Sequence, residues 1–177
     1  MLAQAEHGGD SAVGVLSDSM TLIQDVMKAL DQQLATLSRG SIIRAVLDHG
    51  TFLVHVESLA QGIELVNAYA PEHLSLIVHD EAQLLGRVRT AGAIYLGNTS
   101  PVAVGDFLAG PSHTLPTGGA GRSFSGLRAD QFQRRTSIVK MSLASVRASL
   151  ATVEEFARIE GLDAHGRSVA IRLEQDL

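Results

Sequence analysis

The stretch TFLVHVESLAQGIELVNAYAPEHLSLIV, residues 51–78, decides the fold class. Its first six residues are rich in β-branched and apolar types, which favours a buried strand. Ser58 is a helix N-cap type, an apolar stripe at helical spacing follows it, and Pro71 ends the pattern. A second apolar run, LSLIV (74–78), predicts another strand. A strand, a helix and a strand of these lengths indicate a βαβ unit with parallel strands.

The same alternation continues on both sides of this unit. Upstream, residues 11–18 predict a short strand that ends in a helix cap, and helices are expected over 22–34 and 42–48. Downstream, a helix over 84–88 leads to the strand AIYLG (93–97). These elements predict an α/β fold with a Rossmann-like, mostly parallel sheet and flanking helices.

The pattern changes in the last third of the chain. Residues 97–126 hold seven glycines and three of the four prolines, so we expect a long functional loop without clear secondary structure. From Val139 onward apolar residues recur at helical spacing, and a shorter helix is expected from about Asp163 to Leu173. We therefore divide the chain near residue 128 into an α/β part, 1–128, and a helical tail, 129–177.

Composition excludes several classes of function. The chain has 177 residues and no cysteine, so any metal must be bound by nitrogen and oxygen ligands. A net charge of −5 with scattered Lys and Arg argues against a nucleic-acid partner. No apolar run approaches the roughly 20 residues that span a bilayer, so no membrane partner is expected. The first residues, MLAQAEHGGD, lack the features of a signal peptide, and we expect a cytoplasmic protein.

Two short patterns in the α/β part carry side chains suited to chemistry. Gln4 and His7 are three residues apart, and on one helical turn an amide oxygen and an imidazole can share a cation. Glu72 and His73 follow Pro71, whose fixed φ suits a turn that projects both side chains. A neighbouring carboxylate and imidazole can divide acid and base work. Taken alone, each pattern is also common in exposed polar turns.

Further candidates lie in the glycine-rich segment and in the tail. Asp106 and His113 are seven residues apart in the predicted loop, where small residues let the backbone approach a ligand closely. The GGAG run at 118–121 lacks the spacing of a dinucleotide or phosphate loop, and we reject that interpretation. His165 lies between two predicted helices, five residues after Glu160. Singly, these residues are also compatible with a solvated surface.

Four phrases of the sequence occur together in one known family. They are LAQAEHGGDS (2–11), APEHLSL (70–76), AGAIYLGNTSPVAVGDFLAGPSHTLPTGG (91–119) and EGLDAH (160–165). Their order and separations resemble the C-terminal portion of histidinol dehydrogenase, and the similarity covers nearly all 177 residues. The pair PEHL and GDxxAGxxHxLPT is highly specific.

The resemblance implies roles for eight residues. His73 matches the general base that takes the alcohol proton, and Glu72 matches the residue that activates water in the second oxidation. One Zn²⁺ per chain would be held by Gln4, His7, Asp106 and His165. The residues expected to contact substrate are Gln4, His7, Glu72, Asp106, His113, Glu160 and His165. Residues 1–128 would thus carry most of the metal and acid/base residues.

The resemblance also implies an activity and an assembly. The family oxidises L-histidinol to L-histidine in two NAD-linked steps and is a homodimer, so Glu160 and His165 are expected to act in a partner subunit's site. The family's N-terminal NAD-binding part has no match in this chain, so the sheet is expected to be partial and the cofactor-binding residues are unassigned. We expect activity to need a separate N-terminal half. A split enzyme, a truncated gene, a zinc- and ligand-binding module without redox activity, and an inactive relic remain open.

Overall fold

A computed structural model describes residues 1–174. Its helices are α1 (Leu2–Ala5), α2 (Met20–Leu34), α3 (Gly40–His49), α4 (Leu59–Tyr69), α5 (Glu81–Leu85), α6 (Val102–Phe107), α7 (Leu143–Glu160) and α8 (Asp163–Glu174). Its strands are β1 (Val13–Ser17), β2 (Thr51–His55), β3 (His73–Leu76) and β4 (Ala93–Leu96). Two 3₁₀ turns cover Ala120–Arg122 and Ala129–Phe132. The last three residues of the predicted tail, 175–177, lie outside the described part.

The strands are parallel, and the predicted α/β fold is confirmed. β1 pairs with β2, with Val13 opposite Thr51. β3 pairs with β4, with His73 opposite Ala93. Within the described residues the four strands form two separate two-stranded sheets rather than the single sheet expected. Apolar runs locate strands, but they do not determine which strands exchange hydrogen bonds.

The hydrophobic core follows the apolar stripes of the helices. One cluster joins α1, α2, α3 and β1, and its buried members are Ala5, Val13, Leu34, Ile43 and Val46. A second cluster joins α4, β3 and α5 through Ile63, Leu76 and Leu84. Ile43 and Val46, three residues apart, bury one face of α3, whereas Leu22 at the start of α2 is 51% exposed.

Two predictions of secondary structure are wrong: the end of one helix and the absence of helices from 97–126. The helix expected to reach Val88 ends at Leu85, because Gly86 caps it and the next amides bond to carbonyls only three residues back. The segment 97–126 is not without secondary structure, since α6 begins after Pro101 and Ala120–Arg122 forms a 3₁₀ turn. The many glycines favoured a loop, but six of these residues form α6. Asp106 therefore lies in a helix rather than in a loop.

The chain divides into two compact units, residues 1–132 and 133–177. The sequence places its boundary near residue 128, and the 3₁₀ turn Ala129–Phe132 accounts for the difference. In the second unit α7 and α8 pack against each other, and the helices predicted there are confirmed. Gly161 makes the turn between them with a φ of 69°. Among residues 1–174, no helix has the length and apolar character needed to cross a membrane.

Candidate active site

A strained turn presents the predicted acid and base. α4 ends at Tyr69, and the buried Ala70 adopts a left-handed φ of 58° while its amide donates to the carbonyl of Val66 at 2.8 Å. This conformation costs a non-glycine residue about 1–2 kcal/mol, and such strain clusters at functional sites. Pro71 follows, and the chain then enters β3 with Glu72 and His73 side by side.

His73 lies between two carboxylates. Its side chain is 10% exposed, its Nδ1 is 3.7 Å from Oε1 of Glu72, and its Nε2 is 3.5 Å from Oδ1 of Asp106. Among the described residues, the buried Nε2 has no hydrogen-bond partner, because the contact with Asp106 is too long for one. An unpaired buried polar atom costs about 1–3 kcal/mol, so its presence in a native site points to a role beyond folding.

Asp106 contacts two imidazoles of the site, those of His73 and His113. Its side chain is 7% exposed in the last turn of α6. Nδ1 of His113 lies 3.2 Å from the same Oδ1 that faces His73, although the His113 side chain is 59% exposed. In the described part of the chain, the ion-pair contacts of this carboxylate are thus with two imidazoles rather than with Lys or Arg. A buried carboxylate with such neighbours is suited to a cation.

Tyr95 belongs to the site and was missed by sequence reasoning. It pairs with Ser75 in the β3–β4 register, so its side chain lies on the same face of the sheet as His73. The two ring centroids are 6.0 Å apart. Burial, followed by the charges of Asp106 and Glu72, raises the pKa of Tyr95, so its hydroxyl keeps its proton. Within AIYLG this tyrosine resembles ordinary strand core, and only the strand register would have revealed it.

Close packing holds the Glu72 turn in place. The amide of Gly92 donates to the carbonyl of Pro71 at 2.9 Å, and the amide of Ala93 donates to that of Glu72 at 2.8 Å. A Cβ atom added at Gly92 would lie 2.7 Å from the Glu72 carbonyl oxygen and 3.1 Å from Cδ of the buried Pro116. The turn, the start of β4 and the glycine-rich segment are therefore in direct contact.

The first two predicted metal ligands belong to the N-terminal segment of the first unit. α1 ends at Ala5, so Gln4 is helical, and Glu6 keeps a right-handed helical conformation before His7. The amide of His7 still donates to the carbonyl of Gln4 at 3.3 Å. No hydrogen bond or ion pair within residues 1–174 links either residue to Asp106.

The tail residues are exposed in the second unit. Glu160 ends α7, and His165 lies in the first turn of α8, where its amide donates to the carbonyl of Leu162 at 2.9 Å. In the described part of the chain, no group of three or more His, Cys, Asp and Glu side chains is placed to hold a metal ion. Ion-pair contacts thus link Glu72 to His73, His73 to Asp106 and Asp106 to His113, whereas the zinc ligand set stays a prediction.

An α/β fold with an imidazole between two carboxylates at one sheet defines a candidate acid–base catalyst, and comparison with known proteins identifies its family. The family model for histidinol dehydrogenase matches residues 1–173. The chain therefore belongs to the histidinol dehydrogenase family, and the resemblance inferred from its four phrases is confirmed.

Individual relatives agree with this assignment. Histidinol dehydrogenase of Syntrophotalea carbinolica is 43% identical over 173 residues, which cover 98% of this chain and 40% of the relative. The Bacillus subtilis enzyme is also 43% identical, over 97% of this chain and 40% of the relative. The crystal structure of histidinol dehydrogenase from Elizabethkingia anophelis matches with a TM-score of 0.94 and 34% identity, over 98% of this chain and 40% of that one. The chain thus spans about 40% of the length of the relatives it matches.

Proposed function

We propose that this chain supplies the acid–base and metal-binding residues of a histidinol dehydrogenase, which oxidises L-histidinol to L-histidine in two NAD-linked steps. The observation that supports it best is the buried His73 imidazole, whose unpaired Nε2 lies 3.5 Å from Asp106. A general base must be within hydrogen-bond reach of the proton that it takes. A nitrogen without a partner in the protein is available to a substrate hydroxyl.

In the first oxidation, His73 accepts the alcohol proton as the hydride leaves. Glu72 serves the second oxidation, because its carboxylate side chain is 36% exposed and only 3.7 Å from Nδ1 of His73. A partly exposed carboxylate can hold a water molecule and take its proton as that water adds to the aldehyde. The two neighbouring residues thus divide the proton transfers of the two steps.

The donor set fits zinc. We propose that Gln4, His7, Asp106 and His165 hold one Zn²⁺, since an amide oxygen, a carboxylate and two imidazoles are ligands that zinc accepts. The buried Asp106 carboxylate, faced by imidazoles, supports this choice. When bound, zinc acts as a Lewis acid and as a template for the imidazole and amine of L-histidinol.

Substrate contacts and assembly complete the proposal. We propose that His113, beside Asp106, and Glu160, at the end of α7, contact L-histidinol. In a homodimer, Glu160 and His165 would act in the partner's site. The sequence contains no dinucleotide-binding motif, so we assign NAD binding to a further part of the enzyme, consistent with a match over only 40% of the relatives. NAD supplies the hydride chemistry when bound.

A zinc- and ligand-binding module without redox activity is the second candidate. The observation that favours it is the same partial coverage, since eight candidate side chains are present in a chain that spans 40% of its relatives. An inactive relic is a weaker candidate, because an unconstrained relic is expected to lose some of those eight side chains.

Reconstitution separates these candidates. The chain, combined with the unmatched part of the Bacillus subtilis relative as a separate polypeptide, should form NADH from L-histidinol, whereas the chain alone should not. Positioning the reactants contributes on the order of 7–11 kcal/mol in well-oriented systems, and NAD has no proposed site in this chain. Zinc binding without NADH in the mixture would favour the binding module, and robust turnover by the chain alone would contradict our assignment of NAD binding.

The same mixture tests the division of labour. Glu72→Ala should impair mainly the second oxidation, so the aldehyde should accumulate and less than the full NADH should form. Glu64→Ala is a matched control, since Glu64 is exposed and its ion pair is with Arg87 at 4.0 Å. Equal impairment of both steps by Glu72→Ala would contradict the role given to Glu72.

A further inference from the structure

Tyr95 connects the sheet to the helix that carries Asp106. A Cβ atom added at Gly105 would lie 2.2 Å from Cε1 of Tyr95 and 2.6 Å from its hydroxyl oxygen. The ring therefore lies directly against the α6 backbone, one residue before Asp106. Only glycine leaves room for such an approach.

This contact packs α6 against the sheet. The helix has six residues, and Gly105 is its buried residue, whereas Val104 and Phe107 are exposed. A helix this short has little stability of its own and depends on tertiary packing. The position of Asp106 therefore depends in part on the packing of Gly105, where the Tyr95 ring lies on the sheet face that also carries His73.

We propose that Tyr95 is a positioning residue, whose ring rests on Gly105 and so fixes Oδ1 of Asp106 at 3.5 Å from Nε2 of His73. The ring rather than the hydroxyl is assigned this role, because Cε1 is the Tyr95 atom nearest to the position that a Cβ atom at Gly105 would take. The kinetic consequence rests on the proposed function, whereas the geometric consequence does not.

The first test is kinetic, in the reconstituted enzyme. Tyr95→Leu should lower kcat roughly 10- to 100-fold, as expected when a reacting group is displaced by up to about 1 Å, and it should change KM little. Tyr95→Phe keeps the ring and should retain most of the activity. Tyr69→Leu is the matched control, because Tyr69 is the other tyrosine of the chain and its ring packs on Phe52, 5.4 Å away. A kcat for Tyr95→Leu equal to that of Tyr69→Leu would overturn the proposal.

The second test is structural and needs no activity. Crystal structures of the 177-residue chain should keep the His73–Asp106 distance in Tyr95→Phe and Tyr69→Leu and lengthen it in Tyr95→Leu. An unchanged distance in Tyr95→Leu would refute the positioning role even if the enzyme proved active. Inactive wild-type protein with a lengthened distance in Tyr95→Leu would instead refute only the proposed function.

A second variant covers the case in which Tyr95→Leu does not fold. Gly105→Ala pushes on the ring from the helix side and leaves the sheet residue intact. It should also lengthen the His73–Asp106 distance and lower kcat. Wild-type distance and kcat in Gly105→Ala would overturn the proposal.

Discussion

Substituting Gly92 by alanine perturbs the active-site turn without changing any candidate catalytic side chain. The added Cβ would lie 2.7 Å from the carbonyl oxygen of Glu72, about 0.7 Å inside the 3.4 Å at which ordinary contacts begin. It would also lie 3.1 Å from Cδ of Pro116. Because the nearest atom belongs to the backbone, the clash cannot be relieved by rotating a side chain.

The expected loss of stability follows from the movement of the turn that carries Glu72. Shifting the turn strains the hydrogen bonds from Gly92 to Pro71 at 2.9 Å and from Ala93 to Glu72 at 2.8 Å. Overpacking of this kind typically costs about 1–3 kcal/mol, and a net hydrogen bond contributes about 0.5–1.5 kcal/mol. We therefore expect Gly92→Ala to lower the free energy of unfolding by roughly 1–3 kcal/mol.

Gly86→Ala is the matched control. Gly86 has a φ of −62°, and no atom lies within 4 Å of the position that a Cβ would take. Alanine there should be neutral or stabilise the protein by about 0.4–1 kcal/mol through the unfolded chain. The assay is urea unfolding followed by circular dichroism, with the slope m compared between variants. Equal midpoints for Gly92→Ala and Gly86→Ala at equal m would refute the packing argument.

Two further predictions concern the core and the metal. Ile43→Ala, at a fully buried position, should lower the free energy of unfolding by about 2–5 kcal/mol in the same urea assay, whereas Ile77→Ala, 63% exposed, should stay within about 0.5 kcal/mol of wild type; a small loss at Ile43 would contradict the assigned core. The purified chain should bind about one Zn²⁺ by metal analysis. His7→Ala and His165→Ala should weaken that binding strongly and the exposed control His49→Ala should not, so well-folded protein without zinc above background would disprove the metal assignment.

Local sequence patterns predicted the elements well and their assembly poorly. The run TFLVHV and the cap at Ser58 located β2 and α4, because strand propensity and N-capping act over a few residues. The pairing of β3 with β4 in its own two-stranded sheet depends on contacts 20 residues apart, which periodicity does not encode. The sequence patterns also did not predict α6. Glycine disfavours a helix, and Gly105 is needed because a side chain there would clash with the Tyr95 ring.

The candidate site was predicted from sequence motifs of the family rather than from the spacing of single residues. The motif PEHL marked Glu72 and His73, and the structure places them beside Asp106 and His113. Nothing local indicated that Nε2 of His73 is buried without a partner, because the residues near its ring include Asp106 and Tyr95, which are distant in the sequence. Tyr95 was overlooked because its role depends on strand register.

The rate of NADH formation by reconstituted enzyme carrying His73→Ala tests the central claim most directly. General acid–base catalysis contributes about 10²–10⁴-fold, and the rate with L-histidinol should fall by that factor. His79→Ala is the matched control, because His79 lies in an exposed position three residues beyond β3, outside the site, and should leave the rate near wild type. A His73→Ala rate equal to the His79→Ala rate, in folded protein, would contradict the assignment of His73 as the base.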